Sequence, residues 1–586
     1  MNNDIKNLKY FNQDQLYFTL YNKSKSGNNF KKLFDRVIRA ENILLALKNV
    51  KRYCVRHFTE EYDFYTNLSL VDLKQILVIR LDVYVNKFDF LDLLIQQMIL
   101  QVLEPICEGK FNNHSYKGRP LRNFSHFIAD VDHKMNIQKY RYVVKLDFSH
   151  SKSFFKMSYI MNAFWNIGIK DKKLLAILKS FIISSKDVLY KDIKLLSDLI
   201  INVSLTDFDC WISSQWENFI TKHTYIGKNT SDNSKKYRAL RENSKLKEMM
   251  LVRYGYIVLV FVPSLDYLFR IKKSILLWFK KRKKFDASFV ISNVDLFRKN
   301  IEVEGVCFKY IKKGKYKNGK TKFVMKSYLS IELLNEIKRQ LRDRINNIAK
   351  NLNSYLFFSK LIAYNEYVLF IHSKYAYLTE INDDLNRIYL GLYRRMYNRF
   401  NKNNIIYFSR TSDISYSNDL YKKYYNSDMI RYVKGYPILP ISYIQFKKPL
   451  LLKKDYFSIE NVDAFNVKYE ANRLLKSLLL MSDRSYQFVN SKVVKYIEQQ
   501  GKCLITHQTL SSDNAVAHHV VPFKKSKDDS VANIVIINDG CHKLIHAVDD
   551  TIISKYMNRL NLDISEIKKI NEFRILVGNK PISMIM

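Results

Sequence analysis

The segments Ala517-His518-His519-Val520-Val521-Pro522, Asn533-Ile534-Val535-Ile536-Ile537 and Cys541-His542-Lys543-Leu544-Ile545-His546 hold the densest set of chemically capable side chains in the sequence. Four of the 12 histidines lie between positions 518 and 546. His542 and His546 are four residues apart, so on a helix they share a face and can grip one metal ion. A short apolar run ending in Pro522, a polar loop, and a second apolar run from Asn533 predict strand, loop and strand feeding that helix. Two strands and a helix around one ion make a ββα-metal site. Its chemistry suits phosphodiester hydrolysis: a divalent ion on imidazoles stabilises an oxyanion, and an imidazole off the metal deprotonates water near neutral pH. Asn533 either orients that base or pins the loop. The alternative is four ordinary structural histidines. An adjacent pair, an Asn and an H-x-x-x-H at consistent spacing weigh against it.

The segment Cys503–Ala547 resembles an HNH endonuclease domain in the version found at the end of group II intron proteins. That version reads C-x-x-T-G, H-H-x-x-P, N-L-V and H-K-L-I-H-A. This chain has Cys503-Leu504-Ile505-Thr506-His507, His518-His519-Val520-Val521-Pro522, Asn533-Ile534-Val535 and His542-Lys543-Leu544-Ile545-His546-Ala547. The resemblance implies His519 as general base, Asn533 as its orienting residue, and His518, His542 and His546 as ligands of a divalent metal ion, Mg2+ or similar. Two positions depart from the pattern: Ser526-Lys527 replaces the loop's Gly-Gly, and His507 replaces the Gly after Thr506. Cys503 and Cys541 are half a zinc set, and Thr506 stands where a C-x-x-C partner would be, so no structural zinc is expected.

The chain has 586 residues, 47% of them hydrophobic, enough for several packed domains. With 97 Lys and Arg against 56 Asp and Glu, its formal charge is +41, which points to a polyanionic partner, above all nucleic acid. Aromatic residues make up 14% and offer stacking surfaces for single-stranded bases. Part of the Tyr, Phe, Lys, Asn and Ile abundance, with only 14 Gly and 8 Pro, is what an AT-rich coding sequence produces. The six scattered cysteines fit a reducing compartment and no disulfide scaffold. No uninterrupted apolar run reaches 18 residues, so no membrane span is expected. Met1-Asn2-Asn3-Asp4 opens no signal or transit peptide, which suggests a protein that stays where it is made or one read without its presequence.

Upstream, apolar stripes from Leu16 to Leu47 predict basic helices. Tyr21-Asn22-Lys23-Ser24-Lys25 and Glu41-Asn42-Ile43-Leu44-Leu45-Ala46 resemble the start of group II intron reverse transcriptases, although the Gly-rich and R-P-L-G-I-P motifs that follow in the family are missing. The resemblance resumes at Leu103-Glu104-Pro105-Ile106-Cys107-Glu108, Ser115-Tyr116-Lys117-Gly118-Arg119-Pro120 (S-Y-G-F-R-P in the family) and Tyr142-Val143-Val144-Lys145-Leu146-Asp147-Phe148. Asp147 matches the first of three carboxylates that bind two magnesium ions. The others belong to R-Y-A-D-D-F, and here Arg253-Tyr254 is followed by Gly255-Tyr256-Ile257. The family's G-T-P-Q-G-G loop is also absent. One carboxylate cannot hold two divalent ions close together. The set Asp147, Tyr254, Gly255, Tyr256 and Ile257 therefore reads as a vestigial polymerase centre.

Lys280-Lys281-Arg282-Lys283-Lys284 and a Lys-rich stretch with Asn318-Gly319, a hairpin signal, are candidates for phosphate contact. From Ile331 to Phe400, apolar residues at helical spacing predict helices that resemble the family's RNA-binding thumb, with Arg394, Arg395 and Arg399 as backbone-contact candidates. The expected fold class is α+β: reduced fingers (1–130), a degenerate right-hand polymerase palm (131–330), a thumb or maturase domain (331–446), a basic DNA-binding linker (447–500), the HNH domain (501–560) and a tail (561–586). The expected function is that of a group II intron maturase that binds intron RNA, has lost reverse transcription and keeps a nuclease for target DNA. The alternatives are a DNA homing endonuclease with vestigial RNA binding, or a still-active polymerase. Homodimer formation is left open. The composition suggests an organelle-encoded protein, plastid ahead of mitochondrion, or one from a low-GC bacterium.

Overall fold

A computed structural model describes residues 10–54, 58–82, 89–149, 156–184, 195–222, 232–244, 246–281, 289–315, 318–354, 356–402, 405–406, 408–409, 430–434, 436–452, 486–508, 510 and 514–582. Arg282, Lys283 and Lys284, and most of the expected basic linker, lie outside the described residues. Helices and strands are mixed along the chain, an α+β composition.

At the centre is a four-stranded antiparallel sheet: β1 (Tyr142–Asp147), β2 (Met250–Tyr254), β3 (Ile257–Val262) and β4 (Val290–Asp295), in the order β2-β3-β1-β4. Successive strand residues face opposite ways, and here both faces are covered. Val144, Leu146, Val258, Val260 and Leu251 turn into one core with the N-terminal helices. Val143, Leu259, Phe261 and Val252 turn into a second core with the helices downstream. Two-sided burial explains why Ile257-Val258-Leu259-Val260-Phe261-Val262 is continuously apolar rather than alternating.

The first core is centred on the helix Phe90–Glu108, whose face from Leu94 through Ile95, Met98, Ile99, Val102 and Ile106 is fully enclosed. This helix has the length and composition of a membrane span, but 78% of its apolar window is buried inside the fold. Asp92, Gln96, Gln97, Gln101 and Glu104 interrupt its apolar residues. The basic helices expected from Leu16 to Leu47 are three, Tyr10–Lys25, Phe34–Val37 and Ala40–Cys54, and Gly27, at φ 88°, turns the chain after the first.

Two widely spaced sequence motifs meet here. Arg119 pairs in bidentate fashion with Glu108, at 2.8 and 2.6 Å, with both side chains almost fully buried. Arg253, 0% exposed, binds Asp209 at 2.8 Å, Asn202 at 2.9 Å and the Gly255 carbonyl at 3.0 Å.

The second core continues through the meander β5 (Ile301–Val303), β6 (Val306–Lys315) and β7 (Thr321–Leu329). It ends in three helices, Ile331–Lys350, Phe357–Tyr375 and Ile381–Phe400. Ser330 caps the first of them through the Leu333 amide. A third, separate core holds the C-terminal region and draws in Tyr496 of the helix Tyr486–Glu498 and Ile570 of the helix Ile564–Val577. Both the expected linker boundary at 500 and the tail starting at 561 therefore move: each of these helices packs into the C-terminal unit. Sequence periodicity alone did not tell a linker helix from one docked on another core.

Candidate metal centre and the central hairpin

In the third core, β8 (Ala515–His519) pairs antiparallel with β9 (Ile534–Asn538), with His518 opposite Val535 and His519 opposite Ile534. The helix Asp539–His546 follows at once, and its start is capped by the Asn538 side chain, which accepts the Gly540 amide at 2.8 Å. Its i,i+4 histidines face back to the strand. His518, His542 and His546 each bring a ring nitrogen to within 4.8 Å of the others, the grouping of this kind found among the described residues. The ring centroids are 4.7–5.5 Å apart. His518 is buried, and its Nε2 has no hydrogen-bond partner. Burial first, then the neighbouring His542 and His546, push its pKa down to about 3, so the ring keeps a free lone pair. Burial also lowers His542 and His546. An orphaned, buried, neutral nitrogen aimed at two more imidazoles fits a divalent cation.

The other two candidate residues are placed differently. Successive strand residues face opposite ways, so His519 turns from the trio toward Phe488, Phe523 and Asp529. Its Nε2 lies 2.8 Å from Asp529 Oδ1. Asn533 is buried in the loop, not against His519. Its Oδ1 accepts the Val521 amide at 2.9 Å, and its Nδ2 donates to the Val521 carbonyl at 3.1 Å and the Asp528 carbonyl at 2.9 Å. Of its two anticipated roles, this geometry matches pinning the loop, and the His519 partner is Asp529. Lys527 takes the left-handed conformation at φ 54°, which Gly of the usual Gly-Gly adopts more readily, so that departure leaves the loop formed. His507, where the pattern has Gly, is likewise left-handed at φ 51°.

Sequence reading missed four supporting residues. Phe573 packs edge-on to His518, with centroids 5.4 Å apart. Arg574, 3% exposed, donates to the carbonyls of Leu544 and Ala547, and Asn579 donates to the Ile545 carbonyl at 2.8 Å. These three carbonyls end the histidine helix and would otherwise lack partners. Asp529 is the fourth; an acid midway through the loop between two histidine motifs was its only sequence signal. Nearby, Cys503 Sγ accepts the amides of Thr506 at 3.5 Å and Asn538 at 3.3 Å. A bond from Cys541 leads the causes that bring its pKa down to about 5.

At the central sheet, Gly255 and Tyr256 form the turn between β2 and β3, and Ile257 lies directly opposite Asp147. Asp147 accepts the Ser149 amide at 3.0 Å and pairs with Lys145 at 3.3 Å. Burial pushes its pKa up, but these partners outweigh that and hold it below the usual carboxylate range. No three-ligand grouping forms around it among the described residues. Lys117 fills the space over the turn instead: its ammonium lies 5.9 Å from the Tyr254 ring and 5.7 Å from the Tyr256 ring, and bonds Glu304 at 2.7 Å.

Of the RNA-contact candidates, Lys280 and Lys281 stand exposed at the end of the helix Leu265–Lys281. Arg394 and Arg399 are exposed on the helix Ile381–Phe400. Arg395 is half-buried and donates to Asn346 at 3.1 Å, so it ties two helices together.

No protein-family profile matches the chain. A 95-residue stretch is 30% identical to the nuclear intron maturase 2, mitochondrial, of Arabidopsis thaliana. The match covers 16% of this chain and spans 12% of that protein's length. The chain thus has a local, maturase-like relationship.

Proposed function

We propose that this chain is a group II intron maturase: it binds intron RNA and assists its splicing without synthesising DNA. The observation that carries the reading is the stretch of identity with an intron maturase. The net charge of +41 and the exposed cations on the downstream helices give it a physical basis, since phosphate contacts dominate affinity for nucleic acid. The hairpin turn with Tyr256 and Ile257 in place of carboxylates argues against two-metal polymerisation. The relative's mitochondrial designation fits an organellar setting and gives a plastid no advantage. The test is splicing of a group II intron transcript at a magnesium concentration where the RNA alone reacts slowly. Added protein is expected to accelerate it; no acceleration of any candidate intron contradicts the proposal.

A second activity, nicking of target DNA, is favoured by the histidine trio. A divalent ion on His518, His542 and His546 would supply Lewis-acid stabilisation of charge on the phosphate. The chain's residues do the rest. His519 accepts the proton of the attacking water, Asn533 fixes the loop that carries the base's partner, and Arg574 and Asn579 hold the histidine helix in place.

A further inference from the structure

We infer that Asp529 is the positioning residue of the candidate nuclease site, holding Nε2 of His519 so that Nδ1 is the atom that takes the proton. This rests on the nuclease reading above. Asp529 Oδ1 lies 2.8 Å from His519 Nε2, with the two side chains 10% and 16% exposed. An ionised carboxylate only accepts, so Nε2 carries the hydrogen and the lone pair is left on Nδ1. The ring's tilt is fixed as well. Phe488 stacks on it with centroids 5.4 Å apart and planes 24° apart, and Phe523 leans on it at 5.5 Å.

The pair is ten residues apart in sequence, and the loop between them is held by Asn533 through Val521 and Asp528. The neighbouring Asp528 acts elsewhere, accepting the Ser530 amide at 2.7 Å and the Ser530 hydroxyl at 3.0 Å. Two adjacent carboxylates thus separate cleanly, one on the base and one closing a turn. A nucleophile's base held in turn by a third group is a recurring solution for fixing a tautomer. In the step itself, the oxygen of water bonds to phosphorus and its proton passes to Nδ1. The bond from phosphorus to the leaving sugar oxygen breaks, with its electron pair on that oxygen.

The experiment uses the full chain on supercoiled plasmid DNA with saturating Mg2+ or Mn2+, under single-turnover conditions. Asp529→Asn is expected to slow nicking about 100- to 10,000-fold with DNA affinity and metal dependence unchanged. Asp529→Glu should restore part of the rate, and Asp528→Asn should stay within a few fold of the starting protein. Histidine labelled with 15N gives an independent readout: His519 should be the Nε2–H tautomer, and mixed in Asp529→Asn. Undiminished nicking by Asp529→Asn, or an Nδ1–H tautomer in the unmodified protein, overturns the inference. If the unmodified protein does not nick, the nuclease reading falls, and the tautomer still decides whether Asp529 orients His519.

Discussion

Single residues carry the chemical distinctions. His518 and His519 are neighbours in sequence, yet strand alternation gives them separate surroundings and, under the nuclease proposal, separate roles. His519→Ala is expected to reduce metal-dependent DNA nicking by at least about 1,000-fold. Affinity for intron RNA should be unaltered. Nicking that persists in this variant refutes the base assignment; filter binding of the RNA checks the second half. Asp130 makes a different point. It is buried, accepts from Tyr116 at 2.8 Å and lies 2.6 Å from His114. Burial pushes its pKa up, but His114, Lys134 and these bonds bring it down to about 2. A folded value below the ordinary 3.8 stabilises the fold above that pH, by on the order of 2 kcal/mol, and the gain is lost as pH falls toward 2. Asp130→Asn should lower stability by about that amount at pH 7, and the difference should shrink in denaturant titrations between pH 4 and pH 2. The histidine motifs were legible in sequence because they are local. The Asp529 and Phe573 contacts were not, since only the folded loop and the final helix bring them to the rings.

At the scale of elements, the final helix Ile564–Val577 shows how much function can depend on an anonymous segment. From the sequence it belongs only to a tail (561–586). Through Arg574 it closes the last turn of the histidine helix. Arg574→Met removes the donors for two buried carbonyls, each costing about 1–3 kcal/mol when left unpaired. The variant should melt at a lower temperature and need a higher Mn2+ concentration for the stabilisation that divalent ions are expected to give the intact protein. Unchanged melting with and without the ion would show that the helix is dispensable. The β2–β3 hairpin was the most legible element: a continuous apolar run after a Gly-Tyr turn reads as a strand pair, and the missing carboxylates are visible letter by letter. Magnesium-dependent, template-directed primer extension by the unmodified protein would overturn its reading as non-catalytic; none is expected.

Three cores among the described residues go with a large positive charge on the whole chain. The sheet between two cores, with antiparallel β2-β3-β1-β4 order, follows from strands that are apolar on both faces. Domain limits were less legible, because periodicity describes a helix and not the body it packs against; the helices Tyr486–Glu498 and Ile564–Val577 both illustrate this. Under the maturase proposal, the charge makes RNA binding steeply salt-dependent. Replacing exposed Arg394 and Arg399 together with Ala should reduce the slope of log affinity against log salt by about 1–2, across RNA sequences alike. Arg395, tied to Asn346, should affect stability more than that slope.

The measurement that tests the central claim most directly is crosslinking of the protein to RNA in its own compartment, followed by sequencing of the bound RNA. Reads concentrated on one group II intron, or on several, are the result predicted here. Reads spread over transcripts in proportion to abundance, with no intron enriched, would contradict the maturase role and leave DNA cleavage at the histidine site as the function to pursue.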